Sequence, residues 1–251
     1  MRGVMLQKSL EYTVSVDGER WIQGESMKGA MTIKNHGDKS VVIDEILISF
    51  AHGVFRKVRN NDDSAWKDIS TIILAENERI ESGSEMQYEW GFDLRDDCPI
   101  TDNIGSMYLI YGVDKNPVEC GKLQLNIDIK PVMAFFLEMF ENFFRFKIGP
   151  KKFKNGFVEI KMIPPKSREM SALDGLNLQL KQLGDELTVK YIFKTKALES
   201  NAGDVKIEKK KKEFEQILTS KEYMIYGSFN HDGVKKAIGE IVQNVIPKFF
   251  F

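Results

Sequence analysis

The sequence predicts a mainly β chain, built as two tandem β-sandwich domains joined by an aromatic-rich helix and ending in a helical C-terminal segment. Three observations carry that expectation. The first half breaks into short segments of alternating apolar and polar residues, with Gly, Asn and Asp turns between them. The alternation stops at Pro131, where a run dense in Phe and Met takes over. Alternation then resumes beyond Phe157.

In chain order, Leu10, Tyr12, Val14 and Val16 fall on one phase of a period-two pattern, and Asp17-Gly18-Glu19 supplies a turn. Trp21 opens a short segment ending at Gly24. Gly29–Lys34 alternates before the turn Asn35-His36-Gly37-Asp38. Val41–Phe50 is too apolar for a wet edge and belongs inside a sheet. His52–Arg59 reads as one more strand, and Asn60–Ser64 as a loop. Strands are further expected around Ile69–Ile73, Met86–Phe92, Ser106–Val113 and Leu123–Ile129. A strand-and-turn rhythm of about 8–12 residues fits a sandwich, not a βαβ fold.

Pro131–Phe146 reads as a helix. Pro131 suits the first turn, where its missing N–H costs little. Val132, Phe136, Met139, Phe140 and Phe143 share one face, so the helix is expected to join the domains and be buried on more than one side. Beyond it, Phe157–Ile163, Ser171–Leu180 and Leu187–Phe193 read as strands, and Asp204–Leu218 is open between edge strand and helix. Two helical pieces are expected at the end, Thr219–Tyr226 and Asp232–Ile246; Thr219 and Glu222 carry the spacing of a capping box. The resulting division is residues 1–130 for the first sandwich, 131–146 for the linking helix, 147–218 for the second sandwich and 219–251 for the helical extension.

Composition narrows the function. A formal net charge of −1 gives no whole-molecule field toward nucleic acid, and none is expected as a partner. Two cysteines, Cys98 and Cys120, are too few for a disulfide framework and match no zinc spacing; reduced thiols are read in preference to a bridge. No apolar run reaches the ~20 residues of a membrane span, and the N-terminal residues lack a signal-peptide pattern, so the cytoplasm is the expected compartment. His36, His52 and His231 lie in separate elements without a second ligand at i+3 or i+4. Gly24–Ala30 lacks the Gly-Lys-Ser/Thr ending of a phosphate loop, and the neighbouring carboxylates Asp62-Asp63 and Asp96-Asp97 read as turn solvation. No catalytic residues, metal or cofactor are expected.

Two features are candidate contact sites. Phe136, Phe140 and Phe143 on the aromatic helix serve either as interdomain core or as a homodimer or partner seam. Basic clusters are the second feature: Lys147, Lys151, Lys152 and Lys154 follow the aromatic helix, and Lys209, Lys210, Lys211 and Lys212 form an unbroken run. Such a run reads first as a solvated or aggregation-guarding edge and second as a docking patch for phosphate groups, acidic lipid or an acidic partner.

The segments Tyr12-Thr13-Val14, Gly18-Glu19 and Gly24, then Met27–Ile33 and Val42–Ile48, follow the Gly-Glu turn and the two next strands of arrestin-type sandwiches. Tyr88–Leu94 and Gly105–Tyr111 are similar to two later strands of that pattern. The first half thus resembles the arrestin-like superfamily, and within it the bacterial sporulation-control protein family, which also places an apolar segment between two domains. Asp17 and Arg95 stand where the arrestin pattern has prolines. The resemblance implies a non-enzymatic regulatory or scaffold protein that binds other proteins, with no active-site residues to carry over. The alternative expectation is a peripheral membrane-trafficking or lipid-binding adaptor that uses Lys209–Lys212 and the Phe249–Phe251 tail.

Overall fold

The structure is a computed structural model that describes residues 1–113, 117–201 and 204–246, the side chains of 197–208 excepted. The chain forms two compact units, Met1–Asp128 and Ile129–Phe251.

The first unit is a sandwich of two antiparallel sheets. One has the order β1 (Arg2–Gln7), β2 (Leu10–Val16), β4 (Ser26–Asn35), β7 (Glu85–Asp93). The other has the order β6 (Trp66–Ile80), β5 (Val41–Val54), β8 (Gly105–Gly112), β9 (Gly121–Gln124). A short parallel pair, β3 (Trp21–Ile22) with β10 (Ile127–Asp128), completes the unit. The alternation read in Leu10–Val16 is what the fold uses. Leu10, Tyr12, Val14 and Val16 point into one core with Met31 and Ile33 of β4, Ile46, Ile48 and Phe50 of β5, and Leu109 and Tyr111 of β8. Phe50 stacks on Phe92 with ring centroids 3.8 Å apart and meets Trp90 edge-on at 5.7 Å. Burial pushes the Tyr12 hydroxyl up to about 12.

Three local readings change. Arg2–Gln7 is a strand that the sequence hid, because its Val4 and Leu6 face outward and are exposed. The segment expected as a strand through Arg59 extends β5 only to Val54, and Phe55–Arg59 coils into a helical turn, α1. Phe55 and Val58 of α1 pack with Trp66, Tyr108 and Ile110 on the outer side of the β5–β8 sheet. Leu123–Ile129 is not continuous: the Leu125 carbonyl accepts from Thr101 Oγ1 and Ser106 Oγ, and beyond it the chain leaves β9 to pair with β3.

The second unit holds a five-stranded antiparallel meander: β11 (Lys147–Lys154), β12 (Phe157–Ile163), β13 (Leu173–Leu183), β14 (Glu186–Asn201) and β15 (Asp204–Thr219). Its helices are α2 (Pro131–Asn142), α3 (Ser220–Tyr223) and α4 (His231–Gln243), and a small hairpin pairs β16 (Met224–Ile225) with β17 (Ser228–Phe229). One phase of the sheet is apolar and buried, including Ile160, Leu178, Leu180, Val189, Tyr191 and Phe193. The layer beside this sheet is helical, since α2 packs against β11, β13 and α4. Asp204–Leu218, open between strand and helix in the sequence, is strand: β15 pairs with β14 from Asn201↔Asp204 to Glu186↔Thr219.

Pro131 does occupy the first turn of α2, but the helix ends at Asn142, short of the expected Phe146. Arg145 takes a left-handed backbone (φ 59°), and the Phe146 N–H donates to the Phe140 carbonyl, turning the chain into β11. The capping box at Thr219 forms, with Glu222 accepting from the Thr219 N–H at 2.7 Å, and caps the single turn of α3.

Candidate interaction surfaces

Phe136 and Phe140 lie wholly inside the second unit at 0% exposure, and Phe140 meets Phe146 edge-on at 5.4 Å and reaches Tyr191 at 6.4 Å. Phe143, just past the helix end, is 46% exposed, with Lys235 Nζ 4.9 Å from its ring centroid. The three phenylalanines therefore do not form one surface. The stripe drawn from a continuous helix separates because the helix stops before its third member.

Lys209, Lys210, Lys211 and Lys212 are all exposed, on the strand that ends the sheet. Strand pairing alternates them across its two sides. Lys210 and Lys212 stand opposite Thr195 and Phe193, on the helix-packed side, whereas Lys209 and Lys211 stand opposite Lys196 and Lys194 on the other. The Phe249–Phe251 tail lies outside the described residues.

That second side of the sheet carries a basic field of which only the parts at Lys147, Lys152, Lys154, Lys209 and Lys211 were marked in the sequence. Cross-strand rows can be followed along it. Lys154, Phe157, Lys181, Thr188 and Ile217 form one row, and Lys152, Glu159, Gln179, Lys190 and Glu215 the next. Lys161, Asn177, Ile192 and Glu213 follow. Lys194 and Lys211 come next, with Lys147 opposite the exposed Ile163, and Lys196, Lys209 and Asp174 close the field. Ten lysines thus share these five rows with four carboxylates, and Glu186 stands on the same face one row beyond Thr188. The four carboxylates within the rows are already engaged: Glu215 with Lys190 at 3.3 Å, Glu213 with Lys211, Asp174 with Lys196, and Glu159 accepting from Gln179 at 2.6 Å. The hydrogen bond from Lys196 holds the Asp174 carboxyl below its ordinary range. Arginine is absent from these rows, and Phe157 is their one ring, with Lys190 Nζ 5.0 Å from its centroid.

The chain-wide charge of −1 conceals this field. Residues up to Asp128 carry 14 basic against 22 acidic side chains, and residues from Ile129 on carry 22 against 15, so the units bear formal charges of −8 and +7. Counting each half separately would have exposed the asymmetry. So would noticing that the polar phase of Leu187–Lys196 carries Lys190, Lys194 and Lys196.

On the first unit, a shallow depression of about 350 Å³ opens on the outer side of β5, β6 and β8, lined by Leu47, Ile69, Thr71, Ile73, Ile110 and Pro117. The residues weighed for chemistry lie apart. His36 faces Glu11 at 3.0 Å on an exposed surface, and His231 meets the Phe135 ring edge-on. Asp62 accepts from the Ser64 N–H and hydroxyl, which lower its pKa, while Asp97 pairs with Arg95 at 2.9 Å. Cys98 is buried and Cys120 half-buried, and no disulfide joins them. Among the described residues, no group of His, Cys, Asp and Glu is arranged to hold a metal ion. Likewise, none of their helices is long and apolar enough to cross a membrane.

As the sequence predicted, the chain is mainly β; it forms two units, the first a sandwich and the second a five-stranded sheet layered with helices and opened by the aromatic helix. Among solved structures, the chain is similar to the sporulation control protein Spo0M from Bacillus subtilis. The TM-score is 0.67 at 14% identity, covering 95% of this chain and 100% of that one, and at this identity the likeness is one of fold. Weaker partial likenesses, to the C-terminal domain of Wzt (TM-score 0.31, 9% identity, 51% of this chain and 78% of that one) and to a β-glucosidase from Listeria innocua (0.29, 12%, 49% and 17%), carry no argument. No family model matches the sequence, and no curated protein matches it.

Proposed function

We propose that this chain is a non-enzymatic regulatory or scaffold protein of the sporulation-control type, working in the cytoplasm by binding other proteins. The observation that supports the reading is the extent of the likeness to Spo0M, which runs through both units and spans the whole of that chain. A shared scaffold alone does not carry a function. What adds weight is the formal charge of the units, −8 and +7, and in the second unit a broad lysine-rich sheet face suited to electrostatic recognition.

The test is affinity capture of the tagged full-length chain from its own host after chemical crosslinking, followed by reconstitution with purified candidates. A partner that binds the purified chain with a dissociation constant of about 10 µM or tighter, and loses that binding on surface substitution, supports the reading. Turnover in a broad hydrolase screen, abolished by one substitution, would sink it.

A further inference from the structure

We infer that the lysine-rich open face of the β11–β15 sheet is a docking surface for an acidic polypeptide segment. The inference rests on the protein-binding reading above and names the chemistry of the partner.

The case begins with charge. Even if every carboxylate of the face, Glu186 included, neutralises one lysine, an excess of five positive charges is left, in a unit whose own total is +7. Five strands at ~4.8 Å spacing and five rows at ~6.8 Å steps make a field of roughly 19 by 27 Å. That is an area to be matched by several acidic groups, not a niche for one phosphate. An extended chain advancing ~3.4 Å per residue crosses it in about eight residues.

The composition of the face selects among polyanions. Nucleic acid is gripped by arginine forks on phosphates and by bases stacked on aromatic rings. These rows hold no arginine, and their single ring, Phe157, is approached by Lys190 and Lys181. An anionic bilayer presents a plane of negative charge, which would meet Glu159, Glu213 and Glu215 unfavourably, and a twisted five-stranded sheet cannot lay all its rows on a plane. A polypeptide can follow the twist and place its carboxylates against the lysines while avoiding the glutamates. It also brings amide groups to meet the side-chain amides of Asn177 and Gln179, which occupy the middle of the field. Lysine suits this task, being a point charge on a flexible stem that accepts carboxylates arriving from many directions.

The experiment measures fluorescence anisotropy of labelled hexadecaglutamate titrated with the full-length chain at low salt. Binding is expected, and the triple variant Lys161→Gln, Lys190→Gln, Lys194→Gln should weaken it at least tenfold. The matching lysine-to-arginine variant should retain it, and Lys235→Gln, Lys236→Gln on α4 should leave it unchanged. Should the triple variant fail to fold, the exposed pair Lys147→Gln, Lys154→Gln reads the same face. Absent binding, or binding that the open-face variants do not weaken, overturns the inference. So does a face that takes vesicles containing phosphatidylserine, or the oligonucleotide dT16, in preference to hexadecaglutamate. Failure here with a reconstituted protein partner still bound would remove the face assignment and leave the protein-binding reading standing.

Discussion

Asn35 donates from Nδ2 to the carbonyl oxygen of Ile80 at 3.1 Å, tying the end of β4 in one sheet to the end of β6 in the other. Its amide also donates to the Lys39 carbonyl at 2.8 Å and accepts from the Gly37 N–H at 2.9 Å, and both Asn35 and Ile80 are fully buried. One side chain therefore satisfies three backbone groups at the point where the sandwich closes. Asn35→Ala leaves those groups without their partner and should cost about 2–4 kcal/mol. All three tryptophans, Trp21, Trp66 and Trp90, lie in the first unit, so its unfolding can be followed by their fluorescence. An unshifted denaturation midpoint would show that the three bonds are replaceable.

Phe140 and Phe143 should respond unequally to truncation. Phe140→Ala empties a site ringed by Phe136, Phe146 and Tyr191 and should destabilise the second unit by about 3–5 kcal/mol. Phe143→Ala removes a half-exposed ring and the Lys235 contact, worth about 1 kcal/mol or less. Amide hydrogen exchange across β13 and β14 reports on this unit without interference from the tryptophans. Equal loss of protection in both variants would contradict the burial pattern.

Gly29 cannot carry a side chain without local rearrangement. A Cβ there would stand 2.0 Å from the Ser15 carbonyl oxygen and 2.6 Å from the Trp90 ring, which covers the glycine from its cross-strand position. The backbone oxygen is held by the β2–β4 ladder and has little freedom to yield. Gly29→Ala should therefore lower the stability of the first unit by about 2–3 kcal/mol and alter the near-ultraviolet circular dichroism of Trp90. A signal identical to that of the parent would show that the two strands can part at small cost.

His52 should make the first unit sensitive to mild acid. Burial, opposed by Asp102 and Asp68, pulls its imidazole below the ordinary 6.5. The folded unit thus binds fewer protons at this site than the unfolded chain just below that pH. The contribution is fully present above 6.5 and is lost as pH falls below it, until the folded-state imidazole itself titrates. His52→Gln should flatten the slope of tryptophan-detected stability just below pH 6.5. An unchanged slope would assign the acid sensitivity elsewhere.

The sandwich of the first unit was legible where one phase of a strand is buried, because a half-buried strand writes its pleat into the order of residues. Tyr12, Val14 and Val16 show this directly. Arg2–Gln7 was not legible, because an edge strand that leaves Val4 and Leu6 in solvent carries no such imprint. Lys209–Lys212 illustrates a different limit. Four consecutive lysines favour a helix by local propensity, and only pairing with β14 over a long register makes them strand. The extent of the basic face, beyond its lysine clusters on β11 and β15, escaped for a related reason. Reading alternation for its apolar members finds the core, and the surface appears only when the intervening residues are read across strands. That requires pairings such as Lys161↔Asn177↔Ile192, which join positions far apart in the chain.

The opposite charges of the two units also bear on how the molecule behaves in bulk. A chromatographic resin senses patches, not totals, so near pH 6.4, where the chain as a whole is neutral, both a cation exchanger and an anion exchanger should retain it. Oppositely charged units of neighbouring molecules attract at low ionic strength, so solubility should rise as salt is added. For this chain the isoelectric point marks a balance between two unlike halves, not an uncharged surface.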